Sequence, residues 1–259
     1  VVIPNHAYSY QFTISLNRNL LNQPFRFKQF EIHQDKCSMK VNTDGVLLGA
    51  WSSVAHKYRA LDIGTGTGII ALILSQRNHE LKTDAVEIDK DTFEQAAVNA
   101  SSSRFADRIQ VFHQSIQAFA KSSVQLYDLI ISNPPYFNSG TPSANLQKAK
   151  VRHTMHLSHS ELLESVTTLL SPQGHFEVIL PHYEGIQFIQ SASKYRLYPI
   201  HITEVYPKSE KRIERLLIRM GKTPVSVEKS QLVIHLSDNP KDYSKEFIEL
   251  TKELYLFMK

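Results

Sequence analysis

The chain has 259 residues, 42% of them hydrophobic and 21% charged, a balance that excludes wholesale disorder and suits one large globular domain. Its one cysteine, Cys37, excludes an internal disulfide and a cysteine-rich zinc site. A net charge of +4 is mildly basic, compatible with a polyanionic partner without demanding one.

No stretch approaches the roughly 18 consecutive apolar residues of a membrane-spanning helix. The opening VVIPNHAYSYQFTISLNRNLLNQP lacks the basic-then-apolar order of a secretory signal. Residues 1–24 are therefore expected to be a poorly ordered extension, trimmed or added, ahead of one domain over residues 25–259 in a cytoplasmic protein.

From Phe25 the pattern alternates between two periods. Tyr58–Ile63 reads as a strand ending in glycines, and Ile69–Gln76 as a helix. Asp84–Ile88 is a second strand, followed by the amphipathic stretch Asp91–Ala100. Ile109–Phe112 and Asp128–Ser132 are further strands, the latter stopped by Pro134 and Pro135. Ser160–Leu170 is helical, with Ser158 or Ser160 as N-cap and Glu161 or Glu164 as the matching capping-box partner. His175–Leu180 is a fifth strand. Strands that are apolar throughout and separated by helices imply a parallel sheet covered on both faces. Ile200–Val205, Arg215–Met220 and Gln231–His235 have little helix between them and predict an antiparallel C-terminal edge. A last helix is predicted over Tyr243–Leu256.

The strongest local signal is Asp62-Ile63-Gly64-Thr65-Gly66-Thr67-Gly68, between the first strand and its helix. Three alternate glycines let the backbone turn sharply and approach a ligand with no side chain in the way. The turn lies at the carboxyl end of a parallel strand, where open α/β sheets bind ligands. The spacing fits neither a pyrophosphate fingerprint nor a P-loop, and the preceding Asp62 suits a cationic amine better than a phosphate. Glu87 follows Gly68 by 19 residues, the expected place for a carboxylate that accepts from ribose hydroxyls. Ribose and an ammonium group without a diphosphate describe S-adenosylmethionine, with no metal.

Asn133-Pro134-Pro135-Tyr136 ends the fourth strand, followed by Phe137. Two prolines fix the backbone and leave carbonyls free to accept. Asn133 adds a side-chain carbonyl, and Tyr136 an aromatic face for stacking. That set suits a planar amine on a flat base. Acceptors at Asn133 Oδ1 and the Pro134 carbonyl would hold its N–H groups and aim the nitrogen lone pair at a methylsulfonium carbon.

Together these residues resemble the class I, Rossmann-like S-adenosylmethionine-dependent methyltransferases of the amino-methylating group. FRFKQFEIHQDKCSMKVNTDGVLLGAW (Phe25–Trp51), LDIGTGTG, SNPPYF and VRHT are similar to the bacterial tRNA(1)(Val) (adenine(37)-N(6))-methyltransferase family. The likeness runs from Phe25 to the ELTKELYLFMK ending. It implies a doubly wound, mostly parallel seven-stranded sheet in a three-layer α/β/α arrangement. It also implies methyl transfer to the 6-amino group of adenine, at the adenosine 3′ of a valine tRNA anticodon. By the same likeness Lys40, Thr43 and Asp44 lie near the methionine end of the cofactor. Asp62, Gly64, Thr65, Gly66 and Gly68 would border it, Glu87 and Ile88 would meet the ribose side, and Asn133 to Tyr136 would hold the target base. Where related enzymes carry an acid for the adenine amine, this chain has Gln114-Ser115-Ile116, so Ser115 or a backbone group must substitute.

Phe137 and the basic cluster of Lys148, Lys150, Arg152 and His153 are the candidate substrate contacts, the cluster placed to grip phosphates of the anticodon arm. Lys208, Lys211, Arg212, Arg215 and Arg219 form a second candidate patch; strand alternation puts Arg215 and Arg219 on one face and Arg212 on the other. Phe25, Phe27, Phe30 and Trp51 are expected to pack on the body, and a monomer is expected. The rival functions are methylation of a protein glutamine amide or of a guanine amine in rRNA, and a non-catalytic RNA-binding module.

Overall fold

The structure is a computed structural model that describes residues 23–37, 39–135 and 157–258. The chain opens with a two-residue hairpin, β1 (Phe25–Arg26) and β2 (Glu31–Ile32), and a first helix, α1 (Thr43–Trp51). An alternating series follows: β3 (Arg59–Ile63), α2 (Ile69–Arg77), β4 (Lys82–Glu87), α3 (Lys90–Ser101), β5 (Ile109–His113), α4 (Ile116–Ser122) and β6 (Tyr127–Ser132). After it come α5 (His159–Leu169), β7 (Leu170–Pro181), α6 (His182–Ala192), β8 (Tyr198–Lys208), β9 (Arg215–Gly221), β10 (Glu228–His235) and α7 (Lys245–Thr251). No helix among the described residues is long and apolar enough to cross a membrane.

The main sheet is ordered β10-β8-β9-β7-β6-β3-β4-β5. Its central strands are largely buried because period-two alternation supplies two cores at once, while β5, β8 and β10 are mostly half-exposed and carry polar residues. Ala60, Leu129, Ile131, Ile179 and Leu217 enter the core shared with α1, α2 and α7. Leu61, Ile63, Ile130, Val178 and Ile218 enter the core shared with α4, α5 and α6. Phe27 and Phe30 join the first core, stacked with ring centroids 4.7 Å apart, and Phe25 packs against it, as expected for aromatics that serve the body.

The sheet has eight strands where seven were expected, and its antiparallel strand is not at the edge. β9 runs against both β7 and β8, while β8 and the outer strand β10 are parallel to each other. The reason lies in the direction of β9. It ends on the sheet edge from which β10 must start, so residues 222–227 suffice where a parallel neighbour would need a helical crossover. The last helix is shorter than predicted at both ends: Ser244 caps its start, its Oγ accepting from Phe247 N at 3.0 Å, and after Thr251 the chain leaves the helix in turns that bring Tyr255 into a bridge with Phe27.

The first core also buries charge. Arg219 Nε donates to Glu177 Oε1 at 2.6 Å, Ser53 N donates to the same oxygen at 3.2 Å, and the guanidinium lies 4.8 Å from the Trp51 ring centroid. Trp51 Nε1 in turn donates to Thr203 Oγ1 at 2.9 Å. Arg215 and Arg219 thus share a face as alternation requires. They form ion pairs with Asp44 and Glu177, with side chains only 22% and 17% exposed, so they do not belong to a surface patch. Glu177→Ala would strand Arg219 in the core and should cost about 3–5 kcal/mol. A lower urea midpoint with an unchanged m-value checks this; an unshifted midpoint would refute it.

Candidate active site

The carboxyl ends of β6, β3, β4 and β5 open onto one cavity of about 740 Å³. Its geometry begins at the glycine turn. Gly64, Gly66 and Gly68 have φ of 69°, 58° and 82°, a region that side chains rarely adopt. Gly64 N and Thr65 N donate to Val86 O at 2.9 and 3.2 Å, which pins the turn to β4. Glu87, at the end of β4, closes the arrangement. Its Oε2 accepts from Gly66 N at 3.0 Å, and its Oε1 from Ile88 N and Asp89 N at 2.9 and 3.0 Å.

Gly64, Gly66, Glu87 and Ile88 line the cavity, as do Ser115 and Ile116 and, on the opposite side, Asn133, Pro134 and Pro135. A Cβ built on Gly64 or Gly66 would meet nothing within 4 Å, so the backbone of the turn is bare toward a ligand. That bare turn beside a nearly buried carboxylate fits a nucleoside with an amino-acid arm. The fit holds for the S-adenosylmethionine expected from the sequence.

Asn133 is positioned from two sides. Ser132 Oγ donates to Ile63 O at 2.9 Å and locks the end of β6 to β3. On the other side α1 begins with Asn42 as N-cap, its Oδ1 accepting from Gly45 N at 2.9 Å. A Cβ on Gly45 would sit 3.4 Å from Ile69 Cγ2 and 3.9 Å from Asn133 Nδ2, so glycine lets this helix start close against the asparagine.

Several residues singled out in the sequence stand behind or beside the wall rather than on it. Asp62 has no exposed surface and accepts from Thr65 Oγ1 at 2.6 Å, while Gly68 caps α2. Thr43 and Asp44 occupy the first turn of α1, where Asp44 Oδ2 accepts from Arg215 Nε at 2.9 Å; Lys40 is exposed ahead of them. Ser115 is on the wall, but its Oγ already accepts from Ala118 N at 3.2 Å as the N-cap of α4. Tyr136, Phe137, Lys148, Lys150, Arg152 and His153 lie outside the described residues. Sequence reasoning missed Met39, Asp89, Gln117 and Leu157, which line the cavity, and read Ser158 and Glu161 as a helix cap only. The cap is real, with both reciprocal bonds formed, yet the same two residues line the cavity.

The profile of the family described as "Methyltransferase small domain" matches residues 42–198, which span the glycine turn, Glu87 and Asn133. The chain belongs to this methyltransferase family. It is 42% identical over 236 residues to a Flavobacterium johnsoniae protein named tRNA1(Val) (adenine(37)-N6)-methyltransferase, a match covering 90% of this chain and 100% of that one. A Trichodesmium erythraeum protein of the same name is 42% identical over 234 residues, covering 90% and 97%. Among solved structures, an Agrobacterium tumefaciens protein described as a predicted O-methyltransferase superposes with a TM-score of 0.64 at 16% identity, over 82% of this chain and 96% of that one. That likeness shows the fold.

In this methyltransferase domain the buried Asp62 is displaced far from its ordinary ionisation. Burial pushes its carboxyl from 3.8 up to about 7, and the Thr65 bond and the Ala71 amide pull only partly the other way. The folded chain therefore holds this proton more tightly than the unfolded chain. The stability it contributes is complete below the unfolded value and is lost as pH rises toward 7. Asp62→Asn keeps an acceptor for Thr65 and has no such proton to lose. Its denaturation midpoint should fall less than that of the unaltered protein between about pH 4.5 and 7; identical pH profiles would refute the assignment.

Proposed function

We propose that this protein methylates the 6-amino group of an adenosine in tRNA, at the position 3′ of the anticodon of a valine tRNA, using S-adenosylmethionine. The observation that carries the reading is the sharing of one cavity by Asn133-Pro134-Pro135, the bare glycine turn and Glu87. The names of relatives that match along nearly their whole length point to the same reaction. With such a substrate the protein would act in the cytoplasm, and the anticodon arm is the part of the tRNA it would grip.

The turn at Gly64 and Gly66 would admit the cofactor's amino-acid arm, and Glu87 would accept from its ribose hydroxyls. When bound, the sulfonium supplies an electrophilic methyl group. The chain's own work is then positional. Asn133 Oδ1 and the Pro134 carbonyl accept from the two N–H groups of the amine and orient its nitrogen in line with the methyl carbon. No strong base is required before transfer, because the cationic product amine sheds its proton readily. A base stacked in the anticodon loop must be turned out to reach this cavity.

Asn133→Ala should lower turnover by about 10²–10³-fold, while the cofactor Kd changes by less than about threefold. Single-turnover rates and calorimetry measure the two separately, and near-normal turnover would refute the role. The substrate is tested by mass spectrometry of tRNA nucleosides with and without the gene. N6-methyladenosine should vanish from one position in the gene's absence. Labelled methyl appearing in protein or in rRNA guanine instead would replace the proposal with one of its rivals.

A further inference from the structure

The cavity wall carries a carboxylate that the reaction proposed above leaves unused. Glu161 stands in the first turn of α5, beside Leu157 and Ser158 and across from Gln117 in α4. Its Oε2 accepts from Ser158 N at 2.8 Å and from Ser158 Oγ at 2.6 Å. These bonds, with the Gln117 side chain, hold the carboxyl below its usual range, so it is an anion at neutral pH. Neither Ser158 bond falls on Oε1.

Strand order decides which part of a ligand meets this wall. Along the sheet edge come Asn133 after β6, the glycine turn after β3, Glu87 at the end of β4, and Ser115 to Gln117 after β5. With the transferred methyl facing Asn133 and the ribose at Glu87, the cofactor's base would lie beyond Ile88, toward the β5–α4 junction. The hydroxyl oxygen there, Ser115 Oγ, is engaged with the Ala118 amide.

We propose that Glu161 accepts from the exocyclic amine of the cofactor's adenine and makes the cavity select adenine over a 6-oxopurine. The inference rests on the reading of this cavity as the S-adenosylmethionine site. An ionised carboxylate accepts and cannot donate, so it takes up an amine and repels a carbonyl oxygen in the same place. Glu161 is a cofactor-binding residue here and takes no part in moving the methyl group.

The test is calorimetric and needs no turnover. S-adenosylhomocysteine and S-inosylhomocysteine, which differ by an amine against a carbonyl, are titrated into the unaltered protein and into Glu161→Gln. The substitution keeps the capping box, since glutamine serves at this position. Its amide oxygen must take the Oε2 place to accept from Ser158, which sets an NH₂ donor where Oε1 stood. The unaltered protein should bind the adenosyl compound at least about 10-fold tighter than the inosyl one. In Glu161→Gln that ratio should fall to about one or invert, the adenosyl compound weakening while the inosyl compound gains. An unchanged ratio, even with both affinities lowered, overturns the assignment, as does equal binding of the two by the unaltered protein. If neither compound binds the unaltered protein, the cofactor reading itself falls.

Discussion

The site depends on one set of hydrogen bonds, those that converge on the Glu87 carboxylate. Backbone amides of Gly66, Ile88 and Asp89 all donate to it, from two segments that follow different strands. Bonds between backbone N–H groups and an ionised acceptor are worth about 1.5–3 kcal/mol each, more than neutral ones. They add to the two backbone bonds on Val86 O and to the Thr65–Asp62 bond that already hold the glycine turn. Glu87 supplies this further constraint from the neighbouring strand, and it is itself one of the residues that line the cavity.

From this node the order spreads through buried polar side chains. Asn99, 2% exposed, donates to Thr67 O at 2.9 Å and to His33 O at 2.8 Å, and accepts from His33 N at 3.0 Å. It thereby ties the turn to the segment that carries Met39 onto the cavity wall. Ser132 ties β6 to β3, and the capped start of α1 closes on Asn133. Each bond is local, but the segments joined are distant in the chain. Preorganisation of this kind is what a displacement reaction needs when its barrier is lowered chiefly by orientation.

Much of this was legible in the sequence, for identifiable reasons. Gly64, Gly66, Glu87 and Asn133 sit at strand ends, where backbone chemistry demands particular residue types, and all four line one cavity. The strands from β3 to β7 were legible because a doubly covered sheet writes unbroken apolar runs. Helices α1, α4 and α6 went unread: α1 is buried from Gly45 to Ala50 and α4 has only 7 residues, so neither presents a clear amphipathic repeat, whereas α6 does bury one face through Gly185, Phe188 and Ala192 but starts directly where β7 ends. Pairing was also hidden. Asp44 reads as a free acid until Arg215, 171 residues away, is seen to donate to it. Asp62 likewise reads as a ligand contact until Thr65 turns it inward. Glu161 shows the converse, since its capping role was plain while its place on the wall required knowing where α4 and α5 meet.

The reversed strand β9 connects these halves of the molecule. In a parallel sheet every strand delivers its last residue to the ligand edge; β9 alone, running the other way, delivers its first. Arg215 therefore arrives opposite Pro181, at the end of β7, and reaches the first turn of α1 at Asp44. Four residues further along the same face, Arg219 meets Glu177 beneath Trp51, the last residue of α1. One strand thus grips both ends of the helix that packs on Asn133. Were β9 parallel, with its sequence unchanged, Arg215 would fall at the far edge and Asp44 would lose this partner. The antiparallel strand is in this sense part of the site's construction, although it contributes no residue to the described cavity wall.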